Sequence, residues 1–361
     1  MYKNETLKKK GLNSINKPTL QDKSSRSKTL PGKVKKYVHI LNQFKSKKIL
    51  VIGDLMLDHY LWGQINRISP EAPVPIVDVE KKEYRLGGAA NVVNNISSLE
   101  ATPLVVGIVG SDNEANILLD LFKQKNILDC FIIRDNSRPT TIKSRLFAAN
   151  QQVMRYDEEK VHDLSSDVEQ KIIQNIDNSI HKADAIILED YNKGLLTPRI
   201  IKHSIEKANQ LKIPITVDPK FQNFFEYKNC TVFKPNFQEL QKNLGIEIKN
   251  KLQLESSVKR LFDKIKPEYL VITISEKGLL IFDKKQKTIQ IPTFAREVFD
   301  VSGAGDTVIS VLTLCLACNV DIETSTILAN HAAGAVCGKR GIHPATVDDI
   351  LTSLQHNKIF T

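Results

Sequence analysis

The sequence has 361 residues, of which 41% are apolar and 25% are charged, so it can build one large or two ordinary domains around a sizeable core. Its net charge of +10 is located at one end. Residues 1–48 hold 14 Lys/Arg and 2 Asp/Glu, whereas residues 49–361 hold 37 Lys/Arg and 39 Asp/Glu. The body of the protein is therefore nearly neutral, which argues against a nucleic-acid-binding protein. No apolar run is long enough for a transmembrane helix, and none follows the basic N-terminus as a secretory signal requires.

The N-terminal segment, residues 1–33, is rich in Lys and Ser and has no apolar periodicity, so we expect a disordered basic extension. Residues 34–361 are expected to form one domain. The cysteines are scattered (Cys130, Cys230, Cys315, Cys318 and Cys337), which favours a reducing cytoplasm over a disulfide scaffold. Cys315 and Cys318 lie in an apolar run, so we interpret them as buried helix residues rather than a metal or redox pair.

Apolar periodicity predicts strands and helices in alternation. In chain order, we predict a helix at 34–44, strands at 48–54, 74–79 and 81–85, a helix at 89–99, a strand at 104–109, a helix at 114–125, strands at 131–134, 143–148 and 152–156, a helix at 166–181, a strand at 185–188, a helix at 198–211, strands at 215–217 and 231–234, a helix from 237, strands at 270–273 and 278–282, and helices at 305–319 and 322–339. This alternation indicates an α/β fold with a mainly parallel sheet. Residues 58–86 contain strand-like runs without helices and are expected to form a small β appendage.

The segment 300–307, Asp-Val-Ser-Gly-Ala-Gly-Asp-Thr, precedes a long apolar helix. Gly303, Ala304 and Gly305 supply backbone N–H groups with little side-chain bulk, and a helix N-terminus favours an anion at such groups. Asp306 would then stand beside a phosphoryl group, where a carboxylate can take the proton of an attacking hydroxyl. The alternative is a glycine-rich turn in which Asp306 only caps the helix.

A second motif, Gly-Gly-x-x-Asn, spans residues 87–91 and leads into a predicted helix. Gly87 and Gly88 allow the backbone to approach a ligand closely, and the Asn91 amide can donate to and accept from sugar hydroxyls. The alternative is a tight turn between a strand and a helix.

Together these two motifs resemble the two signatures of the ribokinase-like (PfkB) carbohydrate kinases, over roughly residues 46–352. Within that family, residues 51–58, 67–75, 150–152, 190–194 and 218–220 are similar to D-glycero-β-D-manno-heptose 7-phosphate kinase, the kinase half of the bacterial heptose-activating enzyme. The run Ile-Ser-Pro-Glu-Ala-Pro-Val-Pro at 68–75 discriminates best, because a generic ribokinase does not need it.

The resemblance implies a three-layer sandwich with a mainly parallel central sheet and a small β-sheet lid, taken mainly from residues 58–86 and parts of 140–157. It implies a kinase that uses ATP and Mg²⁺ to phosphorylate C1 of heptose 7-phosphate to the 1,7-bisphosphate, for ADP-heptose and lipopolysaccharide core or surface glycan synthesis. It also implies a homodimer formed through the lid. The expected partners are the sugar phosphate and ATP, with no membrane and no nucleic acid.

The resemblance also implies roles for individual residues. Asp306 would be the catalytic base, and Gly303, Ala304 and Gly305 would form the anion hole. The substrate would be bound by Asp58, Gly87, Gly88, Asn91, Lys143, Arg145, Asn150, Gln152, Arg155 and Asp190. The nucleotide would be bound by Lys193, Lys220, Asn236, Glu239, Thr273, Ser275, Gly278 and Asn330, with Mg²⁺ held near Asn236 and Glu239 through water or phosphate.

Structural alternatives exist for several of these residues. Asn236 and Glu239 are equally suited to cap a helix, Gly278 to close a hairpin, and Asn330 to pack inside a helix pair. Most Lys and Arg side chains on a protein surface are simply solvated, and Lys193 and Lys220 could serve the sugar phosphate instead of the nucleotide.

Some positions depart from the family pattern. Val301 and Ser302 stand where many ribokinase-like enzymes have Thr, and Met56 replaces a polar residue that ribose-type members often carry. A monovalent cation such as K⁺ is implied at Asp300 and backbone oxygens near Gly341, although Ala345 replaces a hydroxyl residue of some relatives.

Other functions remain open. Another sugar kinase, acting on fructose, ribose or a ketose phosphate, is the alternative within the class, and a non-catalytic sugar or nucleotide sensor is the alternative outside it. An intact Asp306 beside an intact anion hole argues against the sensor. We see neither a His-x-Gly-His segment nor a Gly-x-Gly-x-x-Gly turn, so nucleotidyltransferase and dinucleotide-dependent dehydrogenase activities are not expected.

Overall fold

Two β-sheets of different size organise the molecule. The computed structural model describes residues 32–148, 151–285, 287–295, 298–339 and 341–357. Its strands are β1 (Lys48–Gly53), β2 (Leu55–Ile68), β3 (Pro75–Gly88), β4 (Thr102–Val109), β5 (Cys130–Arg134), β6 (Thr141–Ala148), β7 (Gln151–Glu158), β8 (Ala185–Glu189), β9 (Ile215–Asp218), β10 (Val232–Phe233), β11 (Tyr269–Thr273), β12 (Leu279–Asp283) and β13 (Thr288–Ile291). Its α-helices are α1 (Gly32–Gln43), α2 (Ala89–Ser98), α3 (Asn113–Gln124), α4 (Ser166–Ile180), α5 (Pro198–Leu211), α6 (Phe237–Leu244), α7 (Lys251–Ile265), α8 (Ala304–Ala317), α9 (Ile322–Cys337) and α10 (Val347–His356).

The larger sheet has nine strands in the order β13-β12-β11-β10-β9-β8-β1-β4-β5. The seven strands β11, β10, β9, β8, β1, β4 and β5 run parallel to one another. Strand β12 pairs antiparallel with both of its neighbours, β11 and β13. The strands at its centre are mostly apolar because helices cover both faces. One face packs against α2, α8, α9 and α10, and the other against α4, α5, α6 and α7. The predicted α/β architecture is confirmed.

The smaller sheet has the order β3-β2-β6-β7 and lies where the β appendage was predicted. Strands β2 and β3 form a long antiparallel hairpin, while β2 and β6 are parallel. The prediction of two strands at 74–79 and 81–85 was wrong, because β3 is continuous. Its register shifts opposite Trp62 and Gly63, so that Glu80 forms a β-bulge instead of a break.

The first described helix starts near its predicted place. Helix α1 begins at Gly32, two residues before the predicted helix start, and buries Tyr37, Ile40 and Leu41 against the core. The predictions for residues 1–31 lie outside the described residues. Within the described ranges, no helix is both long and apolar enough to cross a membrane.

Candidate active site

Polar side chains collect where four neighbouring strands of the large sheet end. Asp54 follows β1, Glu189 ends β8, Asp218 ends β9, and Lys234 follows β10. These strands are parallel and adjacent, so their carboxyl ends share one edge of the sheet, where open α/β sheets bind ligands. The start of α8 reaches the same place, because a Cβ on Gly305 would lie 3.6 Å from Lys234 Nζ and 3.7 Å from Asp218 Oδ2.

Asp306 is held in a fixed orientation at this edge. Its side chain is buried, with 5% of the residue exposed. The Asn91 Nδ2 group donates to Asp306 Oδ2 at 2.7 Å, and the Tyr191 hydroxyl donates to Asp306 Oδ1 at 2.8 Å. Burial raises the pKa of the Asp306 carboxyl above its ordinary value, and the two hydrogen bonds oppose that rise. A buried carboxylate with a raised pKa is suited to accept a proton from a hydroxyl.

The start of α8 carries the predicted anion hole, whose role in binding an anion stays a prediction. Gly303 is the N-cap residue and has φ of 79°, which favours glycine. A Cβ at Gly303 would lie 2.9 Å from Asn91 Nδ2, so the two signature motifs touch. The Ala304 N–H donates to the Val301 carbonyl at 3.2 Å. The first N–H groups of a helix have no acceptor within it, and they attract a phosphoryl group.

Asp54 fixes the loop that carries Tyr191. The carboxylate of Asp54 accepts hydrogen bonds from the backbone N–H groups of Tyr191, Lys193 and Leu195 at 2.9, 3.0 and 3.1 Å. It is buried, and it lies immediately after β1 in the chain. Its contacts are structural, and they set the position of the hydroxyl that bonds to Asp306.

The substrate residues Asp58 and Arg145 lie in the smaller sheet and pair with each other. Asp58 belongs to β2, where Arg145 Nη1 donates to Asp58 Oδ1. Gly87 is required beside this pair, because a Cβ there would lie 2.4 Å from Asp58 Oδ2. Gly88 follows with φ of 55° and turns the chain into α2. A role of these groups in holding sugar stays a prediction.

Asn91 bonds to Asp306 itself. Its amide nitrogen is taken by Asp306, and its Oδ1 is buried without a hydrogen-bond partner in the described residues. This oxygen remains available to accept a hydrogen bond from a ligand hydroxyl.

Lys143 and Lys220 both lie near the Tyr191 ring. Lys143 Nζ is 5.2 Å and Lys220 Nζ is 5.4 Å from the ring centroid. Lys220 also forms an ion pair with Glu239 at 2.6 Å. Among the described residues, Lys143 has no ion-pair partner. Burial lowers the pKa of Lys143, and the positive charge of Lys193 adds to this effect.

The other predicted sugar residues are dispersed. Arg155 pairs with Asp157 at 2.9 Å and, like Gln152, lies exposed on β7. Asp190 accepts from the Tyr227 hydroxyl at 2.7 Å and from the Asn192 N–H at 2.7 Å. Burial, with the charge of Asp54 adding to it, raises the pKa of Asp190 to about 6. The predicted residue Asn150 lies outside the described residues.

The predicted nucleotide residues form two local structures. Asn236 and Glu239 make a capping box at the start of α6, with Glu239 N to Asn236 Oδ1 and Asn236 N to Glu239 Oε2 both at 2.8 Å. Asn236 also forms a bridge with Thr273 of β11. The capping alternative is therefore observed, and the magnesium role stays a prediction.

The turn after β11 is shaped by backbone geometry. Ser275 has φ of 49° and Gly278 has φ of 90°. A Cβ at Gly278 would lie 2.0 Å from the Ile291 carbonyl oxygen, so glycine is needed for β12 and β13 to approach.

Lys193, also predicted on the nucleotide side, pairs with Glu159 at 2.7 Å.

A cavity of about 440 Å³ lies beside α9 and α10. Its lining includes Phe294, Gly334, Gly338, Thr352, Ser353 and Asn357. Asn330 lies one helical turn from Gly334, but its side chain donates to the Pro292 carbonyl at 2.6 Å.

Asp300 does lie beside Gly341, as the cation prediction requires. Its Oδ2 accepts from the Gly341 N–H at 3.2 Å, and its Oδ1 accepts from the Ser302 N–H at 2.8 Å. Both carboxylate oxygens therefore have backbone partners, and cation binding stays a prediction.

Sequence reasoning did not assign roles to Asp54, Tyr191, Glu189 or Lys234. All of them stand at or just after the carboxyl end of a parallel strand. Asking which polar residues follow each predicted strand would have found them, because such residues share one edge of the sheet.

Comparison with known proteins identifies the family. The sequence model of the pfkB family carbohydrate kinases matches residues 46–348. The chain is 45% identical over 306 residues to the bifunctional protein HldE of Aliarcobacter butzleri, which covers 85% of this chain and 64% of that protein. It is 42% identical over 311 residues to the bifunctional protein HldE of Wolinella succinogenes, and this match covers 86% of this chain and 65% of that protein. The chain thus spans less than two thirds of the length of these relatives.

Solved structures share the fold. Phosphofructokinase-2 from Escherichia coli in complex with potassium has a TM-score of 0.72 at 17% identity, covering 86% of this chain and 99% of that one. Ribokinase from Arabidopsis thaliana, complexed with ribose and ATP, has a TM-score of 0.67 at 18% identity with the same coverage. The central sheet and the smaller sheet agree with these neighbours. The chain therefore belongs to the pfkB family of carbohydrate kinases.

Proposed function

We propose that this sugar kinase phosphorylates the C1 hydroxyl of D-glycero-β-D-manno-heptose 7-phosphate and yields the 1,7-bisphosphate, for ADP-heptose and surface glycan synthesis. The observation that carries the proposal is Lys143, a half-buried lysine with no ion-pair partner among the described residues. Its ammonium lies over the Tyr191 ring, whose hydroxyl bonds to the base Asp306. A cation at that place suits a substrate that carries a phosphate at a distance from the reacting hydroxyl.

The chemistry follows from the arrangement around Asp306. This carboxylate accepts the proton of the C1 hydroxyl while Asn91 and Tyr191 keep its oxygens in place. ATP with a divalent cation supplies the phosphoryl group, and Asn236, Glu239 and Lys220 stand on the proposed nucleotide side. The N–H groups at the start of α8 stabilise the charge on the transferred group.

Two further features belong to the proposal. The smaller sheet exposes Ile65, Ile68, Val74 and Val79, and pairing with a second copy would cover these apolar side chains. The contact between Asp300 and Gly341 supports K⁺ binding at the place the family resemblance implies.

A substrate panel tests the proposal. Heptose 7-phosphate of defined anomer, fructose 6-phosphate, fructose and ribose are compared in an assay coupled to ADP release. We expect the highest kcat/KM with the β-anomer of heptose 7-phosphate. Preference for an unphosphorylated sugar would reject the heptose assignment, and binding without ADP release from any sugar would favour a sensor.

Replacing Lys143 tests its role in holding the sugar phosphate. In Lys143→Gln, loss of a charge-assisted contact of about 1.5–3 kcal/mol should raise KM for the sugar phosphate by about 10- to 100-fold. KM for ATP should change little. The matched control is Lys202→Gln on the exposed face of α5, which should leave both values unchanged. An unchanged sugar KM in Lys143→Gln would show that another group binds the phosphate.

A further inference from the structure

Two side chains of the smaller sheet contact the loop at residues 341–345, which lies between α9 and α10. The Arg85 Nη1 group on β3 donates to the Ile342 carbonyl at 3.1 Å, and the Tyr60 hydroxyl on β2 accepts from the Ile342 N–H at 3.4 Å. Arg85 is held for this contact, because its Nε donates to Glu83 Oε1 at 2.6 Å and its guanidinium lies 4.8 Å from the Tyr60 ring centroid. The backbone of Ile342 is therefore attached to the smaller sheet through both of its polar groups.

The same loop also contacts the start of α8. The Gly341 N–H donates to Asp300 Oδ2 at 3.2 Å, and the other oxygen of Asp300 accepts from the Ser302 N–H at 2.8 Å. A Cβ at Gly303 would lie 3.4 Å from Ile342 Cγ2, so the buried Ile342 side chain packs beside the N-cap of α8. Ile342 thus contacts the smaller sheet with its backbone and the turn of the predicted anion hole with its side chain.

The far end of the loop is fixed. The Ala345 N–H donates to Asn95 Oδ1 of α2 at 2.9 Å, and the Thr307 hydroxyl of α8 donates to the same oxygen at 3.1 Å. Because this end is held and the surroundings are packed, a shift at Ile342 has to be taken up at the contacts with Asp300 and Gly303.

The approach of the sheet to the loop depends on glycine. Gly341 has φ of 74°, and a Cβ there would lie 2.7 Å from Arg85 Nη1. Arg85 also lies directly opposite Asp58 in the register of β2 and β3. A sugar held by Asp58 would therefore act on the part of the sheet that contacts Ile342.

We propose that Arg85 and the 341–345 loop transmit the position of the smaller sheet to the anion hole at the start of α8, which makes Arg85 a positioning residue for phosphoryl transfer. The inference rests on the proposed role of that hole in stabilising the transferred group, and it applies to any acceptor sugar. An acceptor bound under the smaller sheet then favours the arrangement of the hole that transfer needs, which limits hydrolysis of ATP by water.

The variant Arg85→Gln tests this link with two measurements. Hydrogen exchange of the substrate-free protein, followed by mass spectrometry, should become faster in residues 341–345 and also in residues 300–305. With the best acceptor of the substrate panel, kcat should fall by about 10-fold or more while KM for sugar and for ATP stay within about two-fold, because only the reacting geometry is disturbed. The matched control is Arg134→Gln on the exposed face of β5, whose side chain bonds to Asn116, and it should leave both measurements unchanged.

Two further variants separate position from charge. Arg85→Lys keeps the charge but not the planar fork that bonds to Glu83 and Ile342 together, so it should restore little of the lost kcat. Gly341→Ala should push the Arg85 guanidinium away from the Ile342 carbonyl and lower kcat in the same way without changing the sheet. It also serves as the test if Arg85→Gln fails to fold.

Three results would overturn the proposal: unchanged exchange in residues 300–305, a raised sugar KM with normal kcat in Arg85→Gln, or full activity in Arg85→Lys. The second would show that Arg85 binds the sugar directly, and the third that its charge alone matters. Because the exchange measurement contains no substrate, its failure leaves the proposed substrate untouched. A failed substrate panel likewise leaves the expected exchange pattern standing.

Discussion

Asp306→Asn is expected to lower kcat by about 10²- to 10⁴-fold, the usual contribution of a general base. Asn has nearly the same shape and keeps one oxygen that can accept from Asn91 or Tyr191, but it cannot take up the proton of the acceptor hydroxyl. ATP binding should remain within about two-fold, since the proposed nucleotide groups on α6 are unchanged. The coupled ADP assay measures turnover, and calorimetric titration measures ATP binding.

The control for this variant is Asp263→Asn, on the exposed surface of α7. It makes the same chemical change away from the site and should keep full activity. If Asp306→Asn retained most of the wild-type turnover, Asp306 could not be the base.

Asp54→Ala should be the most destabilising of the substitutions considered. It leaves three backbone N–H groups, of Tyr191, Lys193 and Leu195, without their acceptor in the interior. A buried donor that loses its acceptor costs about 1–3 kcal/mol, so losing the acceptor of three N–H groups should cost about 3 kcal/mol or more. Urea denaturation followed by circular dichroism should show that loss in the free energy of unfolding.

Asp54→Asn is the graded comparison, because its amide keeps one acceptor oxygen and should lose less stability than Asp54→Ala. A loss below about 1 kcal/mol in Asp54→Ala, the size of one ordinary hydrogen bond, would mean that the loop does not depend on this carboxylate.

The central strands were predictable because their apolar character follows from burial on both faces. The run at 185–188 was predicted as a strand and forms β8, which differs by one residue. Helices α7 and α10 and the short strand β13 were not predicted. Helix α7 buries only Ser257, Val258, Leu261 and Ile265 among its 15 residues. Its sequence therefore contains too few apolar residues at helical spacing to predict a helix. A bulge such as the one at Glu80 depends on the partner strand and cannot be read from one strand.

The site was predictable in position but not in its partners. The motif placed Gly303 and Asp306 at a helix start, and the structure confirms that placement. Asn91 was expected to contact sugar, yet its amide binds Asp306, 215 residues later in the chain. Such a contact depends on how α2 packs against α8, which no local pattern encodes. The pairing of Asp58 with Arg145 likewise requires the register of β2 and β6.

The β2–β3 hairpin has a consequence for how substrate range can change in evolution. Both of its ends lie in the catalytic centre, because β2 starts right after Asp54 and β3 leads through Gly88 into the helix that carries Asn91. Its turn is exposed at residues 70–74, and strands of 14 residues separate it from those two ends. Insertions and substitutions near the turn can therefore accumulate while the reacting groups keep their places. Sequence changes in such a kinase should therefore be tolerated best at the turn of the hairpin. They should be tolerated least where β2 begins and β3 ends, next to the reacting groups.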